Sequence, residues 1–119
     1  MPDSQWEVKF YQRPDGRYPV KEFLENLPYD ERERMLRQMK RLKRWGPELR
    51  RPDSDYLRDK IHELRARWFR VQLRILYFRD GHRFRLTNGV RGKEDKVPEA
   101  AINRAVDYRA EYFARREEG

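Results

Sequence analysis

Residues 56–93 read YLRDKIHELRARWFRVQLRILYFRDGHRFRLTNGVRGK, and their periodicity decides the fold. Apolar and charged residues alternate with the period of a strand in three successive runs. Ile61 to Trp68 places Leu64, Ala66 and Trp68 on one face and Glu63, Arg65 and Arg67 on the other. Val71 to Arg79 places Val71, Leu73, Ile75 and Tyr77 opposite Gln72, Arg74, Leu76 and Phe78. Asp80-Gly81 is a hairpin signal, and Arg83 to Asn88 is its partner strand, with Phe84 and Leu86 inward and Arg83 and Arg85 outward. Residues 56–93 also hold 11 Lys/Arg against three Asp/Glu, whereas the rest of the chain has 18 of each sign. The whole excess of +8 thus lies on the segment read as sheet. A sheet with one apolar face and one arginine-rich face suits a polyanion.

Elements on either side complete the pattern. Trp6 to Gln12 reads as a first strand with Trp6, Val8 and Phe10 on one face, and Arg13-Pro14-Asp15-Gly16 as a turn. Pro19 to Leu27 predicts a short helix through Val20, Phe23, Leu24 and Leu27, interrupted by Pro28. A second helix follows, with Asp30 as N-cap and Glu33 completing a capping box. It carries a stripe of Met35, Leu36, Met39, Leu42 and Lys43, and Gly46-Pro47 stops it. Residues 47–55 read as a polar loop and residues 89–97 as another. Pro98 starts a last helix running to about Arg115. The order strand, helix, helix, three strands, helix argues for α+β with a mainly antiparallel sheet of about four strands, not alternating βαβ units.

The bulk numbers exclude several chemistries. At 119 residues the chain reads as one domain over residues 1–119, long enough to bury roughly two-thirds of its unfolded surface. Charged residues are 42% and apolar residues 37%, a balance that signals disorder in some chains. Three Trp, seven Tyr and six Phe argue for a packed core instead. There is no cysteine, which removes disulfides and thiol catalysis. His62 and His82, the two histidines, have no co-ligands at metal spacing, so no metal site is expected. No apolar run approaches the ~20 residues of a membrane span, and MPDSQWEVKF has no signal-peptide pattern. A cytoplasmic protein is the expectation.

The string His62-Glu63-Leu64-Arg65-Ala66-Arg67, then Phe69-Arg70, then Leu73-Arg74-Ile75-Leu76-Tyr77-Phe78 is followed by Lys93 and Lys96 ahead of Pro98, and by Ile102 and Ala105 in an aromatic-rich final helix. In that order and spacing the chain resembles the RelE/ParE toxin superfamily, and within it the HigB-like and phage-derived toxin-related group. The resemblance runs from Trp6 to about Phe113. It implies a curved antiparallel sheet, two N-terminal helices on one face, a C-terminal helix and an open basic concave face. It also implies a type II toxin that cleaves mRNA, commonly on the ribosome, and is silenced by an antitoxin that commonly carries a helix-turn-helix. One departure is Gly92, which stands where the family's loop commonly has its first lysine.

RNA cuts itself when a 2′-hydroxyl lies in line with the adjacent phosphorus, so a protein mainly positions the strand and stabilises the added charge. Arginine does this with a planar fork that binds two phosphate oxygens. Arg65, Arg74 and Lys93 are the candidate catalytic cations and Glu63 the candidate base; Arg67, Arg91, Lys96 and Arg85 are candidate RNA contacts. No cofactor is needed, because arginine supplies the charge a metal would. Each residue also has a plainer reading. Arg65 and Arg74 could form ion pairs with Glu63, and Arg79, Arg83 and Arg85 a solvated face. Trp68, Phe69, Tyr77 and Phe78 read as packing, His62 as a packed histidine, His82 as a turn residue, and the run Arg37, Lys40, Arg41, Lys43, Arg44 as a solvated helix face. Two other functions stay open: a ParE-type toxin that poisons gyrase, and a non-catalytic nucleic-acid-binding module. Enzyme and binder differ in whether Arg65, Arg74 and the 91–96 loop converge on one site.

Overall fold

The computed structural model describes residues 6–118, the side chain of Glu118 excepted. The chain runs β1 (Glu7–Phe10), α1 (Pro19–Glu25), α2 (Tyr29–Trp45), a 3-10 turn (Gly46–Glu48), β2 (Ser54–Arg58), β3 (Ile61–Trp68), β4 (Val71–Asp80), β5 (Arg83–Gly92) and α3 (Glu99–Glu118). The five strands form one sheet in the order β1-β5-β4-β3-β2. The class is α+β, as expected, but the sheet differs from the expected four antiparallel strands. β1 pairs parallel with β5, and β2 adds a fifth strand antiparallel to β3.

β2 begins in the last two residues of the stretch read as loop, 47–55, and continues through Arg58 in residues given no element by the sequence reading. Asp59 and Lys60 both adopt positive φ, 51° and 67°, the geometry of a type I′ hairpin turn. That turn folds Ser54–Arg58 back on Ile61–Leu64. The usual sequence signal, a glycine in the turn, is missing, so the strand was hidden.

The α1/α2 side of the sheet meets expectation. Val20 and Leu24 of α1, Leu27 in the bend just after it, and Met35 and Leu42 of α2 bury against Leu64, Leu73, Ile75, Tyr77, Phe84 and Leu86. The ring of Phe23 lies so close to β5 that a β-carbon at Gly89 would collide with it. α2 begins two residues earlier than a capping box with Asp30 as N-cap requires. Pro28 holds the N-cap position with no side-chain cap, and Asp30 and Glu31 sit in the first turn, where their charge favours the helix dipole. Gly46 ends the helix at φ 56°, with its N–H donated to the Leu42 carbonyl.

The opposite side is not the open basic face expected. α3 crosses it, and Ile102 and Ala105 bury against Ile61, Leu76 and Phe78, flanked by Leu57, Val97, Val106, Tyr112 and Phe113. Both faces of the sheet therefore carry a hydrophobic cluster.

β5 extends to Gly92, so residues 89–92 are strand, not loop. It also contains a bulge. Leu76 pairs with Asn88 but Tyr77 pairs with Leu86, which leaves Thr87 unpaired. The buried Thr87 hydroxyl donates to the Leu76 carbonyl at 3.0 Å. The extra residue reverses side-chain alternation beyond it. Phe84 and Leu86 face α1 and α2, yet so do the partners of Ile75 and Leu73, namely Gly89 and Arg91.

Candidate functional site

Glu63, Arg65 and Arg67 project from β3 to the α3 side, opposite Leu76, Arg74 and Gln72 of β4. Arg65 and Arg74 are direct cross-strand partners. Like charges placed opposite each other repel, and Glu63 resolves the conflict. Its Oε1 accepts from Arg74 Nε at 2.9 Å and lies 3.8 Å from Arg65 Nε. Arg74 is only 2% exposed. Its remaining nitrogens reach out of the sheet to the loop before α3. NH1 donates to the Glu94 carbonyl at 3.1 Å and NH2 to the Asp95 carbonyl at 2.6 Å. One guanidinium thereby joins β3, β4 and the loop.

The clamp shapes an open groove of about 460 Å³, lined by Arg51, Asp55, Leu57, Glu63, Arg65, Asp95, Lys96, Val97 and Ile102. Its floor is the start of the α3 cluster. Its charged rim combines Arg65, Lys96 and Arg51 with the carboxylates Asp55 and Glu63, themselves register partners across β2 and β3. Each carboxylate has its own arginine: Arg51 Nε lies 2.9 Å from Asp55, and Arg74 holds Glu63. Arg65 and Lys96 are the candidate residues with charge to offer an incoming anion. The sequence reading names neither Arg51 nor Asp55: both fall in its 47–55 loop, whereas Asp55 belongs to β2 and Arg51 to the turn before it.

The remaining candidates are placed as follows. Arg91 is on the other side of the sheet, where the bulge turns it. Its Nε and NH2 donate to the two carboxylate oxygens of buried Glu31 at 2.6 and 2.9 Å, and this pairing holds the Glu31 carboxyl below its ordinary range. Arg85 lies under α3, with its guanidinium 5.1 Å from the Tyr112 ring and NH1 directed to the Phe10 carbonyl. Arg67 donates to the Phe69 carbonyl at 2.7 Å. Lys93 is exposed just beyond β5. The convergent set is thus Glu63, Arg65, Arg74 and Lys96, with Lys93 near by in sequence; Arg85 and Arg91 are elsewhere.

His62 is half-buried on the α1/α2 side. Its ring stacks on Tyr77 at 5.2 Å and meets Tyr56 edge-on at 5.1 Å, and burial lowers its pKa. His82 sits in the β4–β5 turn. Among the described residues no three His, Cys, Asp or Glu gather in a way that could hold a metal ion, and no helix is long and apolar enough to cross a membrane.

A two-sided α+β domain with an arginine–carboxylate groove beside its last helix is the class that fold and site define. Residues 22–110 match the phage-derived Gp49-like protein family (DUF891), and the chain belongs to that family. It is a family of RelE/HigB-like toxins of toxin–antitoxin pairs. No curated protein is significantly similar to the chain.

Proposed function

We propose that the chain is a type II toxin acting as an mRNA interferase, an endoribonuclease working in the cytoplasm on ribosome-associated mRNA and silenced by a cognate antitoxin. The observation that carries this reading is the meeting of Arg65, Arg74, Glu63 and the 94–96 loop at one groove. In this mechanism the 2′-hydroxyl attacks the adjacent phosphorus and the P–O5′ bond breaks. A 2′,3′-cyclic phosphate and a 5′-hydroxyl remain. Arg65 and Lys96 stabilise the charge gathered on the phosphorane oxygens. Glu63 accepts the 2′-hydroxyl proton, and a water molecule protonates the departing 5′-oxygen. Arg74 holds Glu63 and the loop in place and acts through them as a positioning residue. The antitoxin expected here is one with acidic or apolar segments.

A second reading is a non-catalytic RNA-binding member of the same family. It is favoured by the lining of the groove, which contains no His or Tyr to move a proton. Induced expression with mRNA end-mapping, wild type beside Arg65→Ala, separates the readings. New mRNA ends that the variant loses support the interferase. Arrest with intact mRNA points to a gyrase-type target, and no arrest with RNA binding retained points to the binder.

A further inference from the structure

Phe69 is the most exposed large apolar residue described, at 77%, and its backbone is strained. It opens the two-residue loop Phe69-Arg70 between the paired residues Trp68 and Val71. Its φ is 53°, and the second loop residue is not positive. That is the type II′ pattern, which takes glycine at the first position. The chain builds the next hairpin in that ordinary way, with Gly81 at φ 62° opening the loop between Asp80 and Arg83. At Phe69 a benzyl side chain occupies the glycine position and gains no burial from it. Strain without a packing return marks a residue kept for contact with something outside the fold.

The surroundings hold the ring ready and identify the contact. Trp68 meets Phe69 edge-on at 4.7 Å, and the Arg34 guanidinium lies 4.9 Å from the Trp68 ring. Arg67 fastens the Phe69 carbonyl at 2.7 Å. Arg34, Arg67 and Arg70 are all exposed. Arg65 lines both the groove and an adjoining hollow formed with Pro52, Asp53, Ala66, Arg67 and Gln72. Phe69 lies four positions beyond Arg65, ~13 Å along the strand direction, a distance that a short run of extended nucleotides covers.

We propose that the β3–β4 hairpin tip is a stacking platform for a base of single-stranded RNA, flanking the position at which a phosphate meets Arg65. A rigid aromatic face ringed by arginines matches a base and its phosphates. The proposal rests on the nucleic-acid reading of the groove but not on cleavage. The test uses a short 2′-O-methyl oligoribonucleotide, which cannot be cut by 2′-hydroxyl attack, and follows its fluorescence anisotropy with the full chain. Phe69→Gly suits the positive φ, so its melting temperature should equal or exceed that of wild type while Kd rises about 5- to 100-fold, the loss of one base stack. Phe69→Leu should lose affinity similarly, and Phe69→Trp should retain it. Wild-type affinity in Phe69→Gly, with a loss in Arg65→Ala, overturns the platform and leaves the groove standing. Phe69→Leu binding like wild type would overturn stacking in favour of a general apolar contact. No binding by wild type removes both readings, and Phe69-dependent binding to phosphatidylserine vesicles in place of RNA would assign the tip to a membrane surface.

Discussion

Two arginines opposite each other in one sheet have different physical jobs. Arg74 is buried and spends its donors on Glu63 and two loop carbonyls. Removing it leaves a buried carboxylate without its partner, which typically costs about 3–5 kcal/mol. Arg74→Ala should therefore show a large fall in urea midpoint along with any loss of activity, and Arg74→Lys should rescue little because an ammonium cannot reproduce the fork. Arg65 is a third exposed and holds only a 3.8 Å pairing. Arg65→Ala should unfold at nearly the wild-type midpoint while RNA cleavage falls about 10²–10³-fold. His62 supplies a test of a different kind. Burial depresses its pKa, so the unfolded chain takes up its proton more readily. The stability this provides is whole above the ordinary histidine value of 6.5 and falls as pH drops below it. The fall in melting temperature between neutral and mildly acidic pH should shrink in His62→Gln, as thermal scans over that range would show.

At the scale of elements, the bulge at Thr87 decides which arginine serves the groove. Uninterrupted alternation would turn Arg91 to the α3 side beside Arg74; the extra residue sends it to Glu31 on α2 instead. Nothing in the local sequence LTNGV announces the bulge, since its cause is the fit between β4 and β5. The three central strands, the two N-terminal helical segments and the final helix were legible because their apolar residues recur at the right period. β2 was not, because Asp59-Lys60 makes an unusual I′ turn and its strand is short and mostly polar. Strand parity put Glu63 and Arg65 on one face, and Arg74 joined them through the register that the resemblance implies; the clamp on the 94–95 carbonyls was not legible, because main-chain acceptors have no residue signature. The Arg91–Glu31 pair should act as a strut between β5 and α2. Arg91→Ala should lower the melting temperature by a few degrees at neutral pH and leave RNA affinity unchanged. The Glu31 pKa is depressed, so the pair's contribution is present above the ordinary value of 4.5 and is lost as pH falls through the folded value. Wild type and Arg91→Ala should therefore converge in acid, which a pH series of thermal melts would reveal.

For the molecule as a whole, net charge overstates the surface open to a polyanion. The excess of +8 sits on residues 56–93, yet much of it is engaged within the fold. Arg58 pairs with Asp59 and Glu99, Arg83 with Glu7, Arg91 with Glu31 and Arg74 with Glu63. Arg79 lies over Trp6 and Arg85 over Tyr112. The cations that lie near the groove and the β3–β4 tip are Lys96, Lys93, Arg65, Arg67 and Arg70. A diffuse basic face would release many counterions; a set of this size engages few. Each single-strand phosphate neutralised contributes a slope of about −0.7 in log Kobs against log salt, so three or four contacts give about −2 to −3. Arg65→Ala should make that slope shallower by about 0.7, whereas Arg83→Ala and Arg91→Ala should leave it unchanged because their charge is already paired. A salt titration of oligoribonucleotide binding reads all four proteins directly. A slope much steeper than this, or an equal loss from every arginine removed, would mean that the whole basic segment binds as one undivided patch and that the groove has no special place in it.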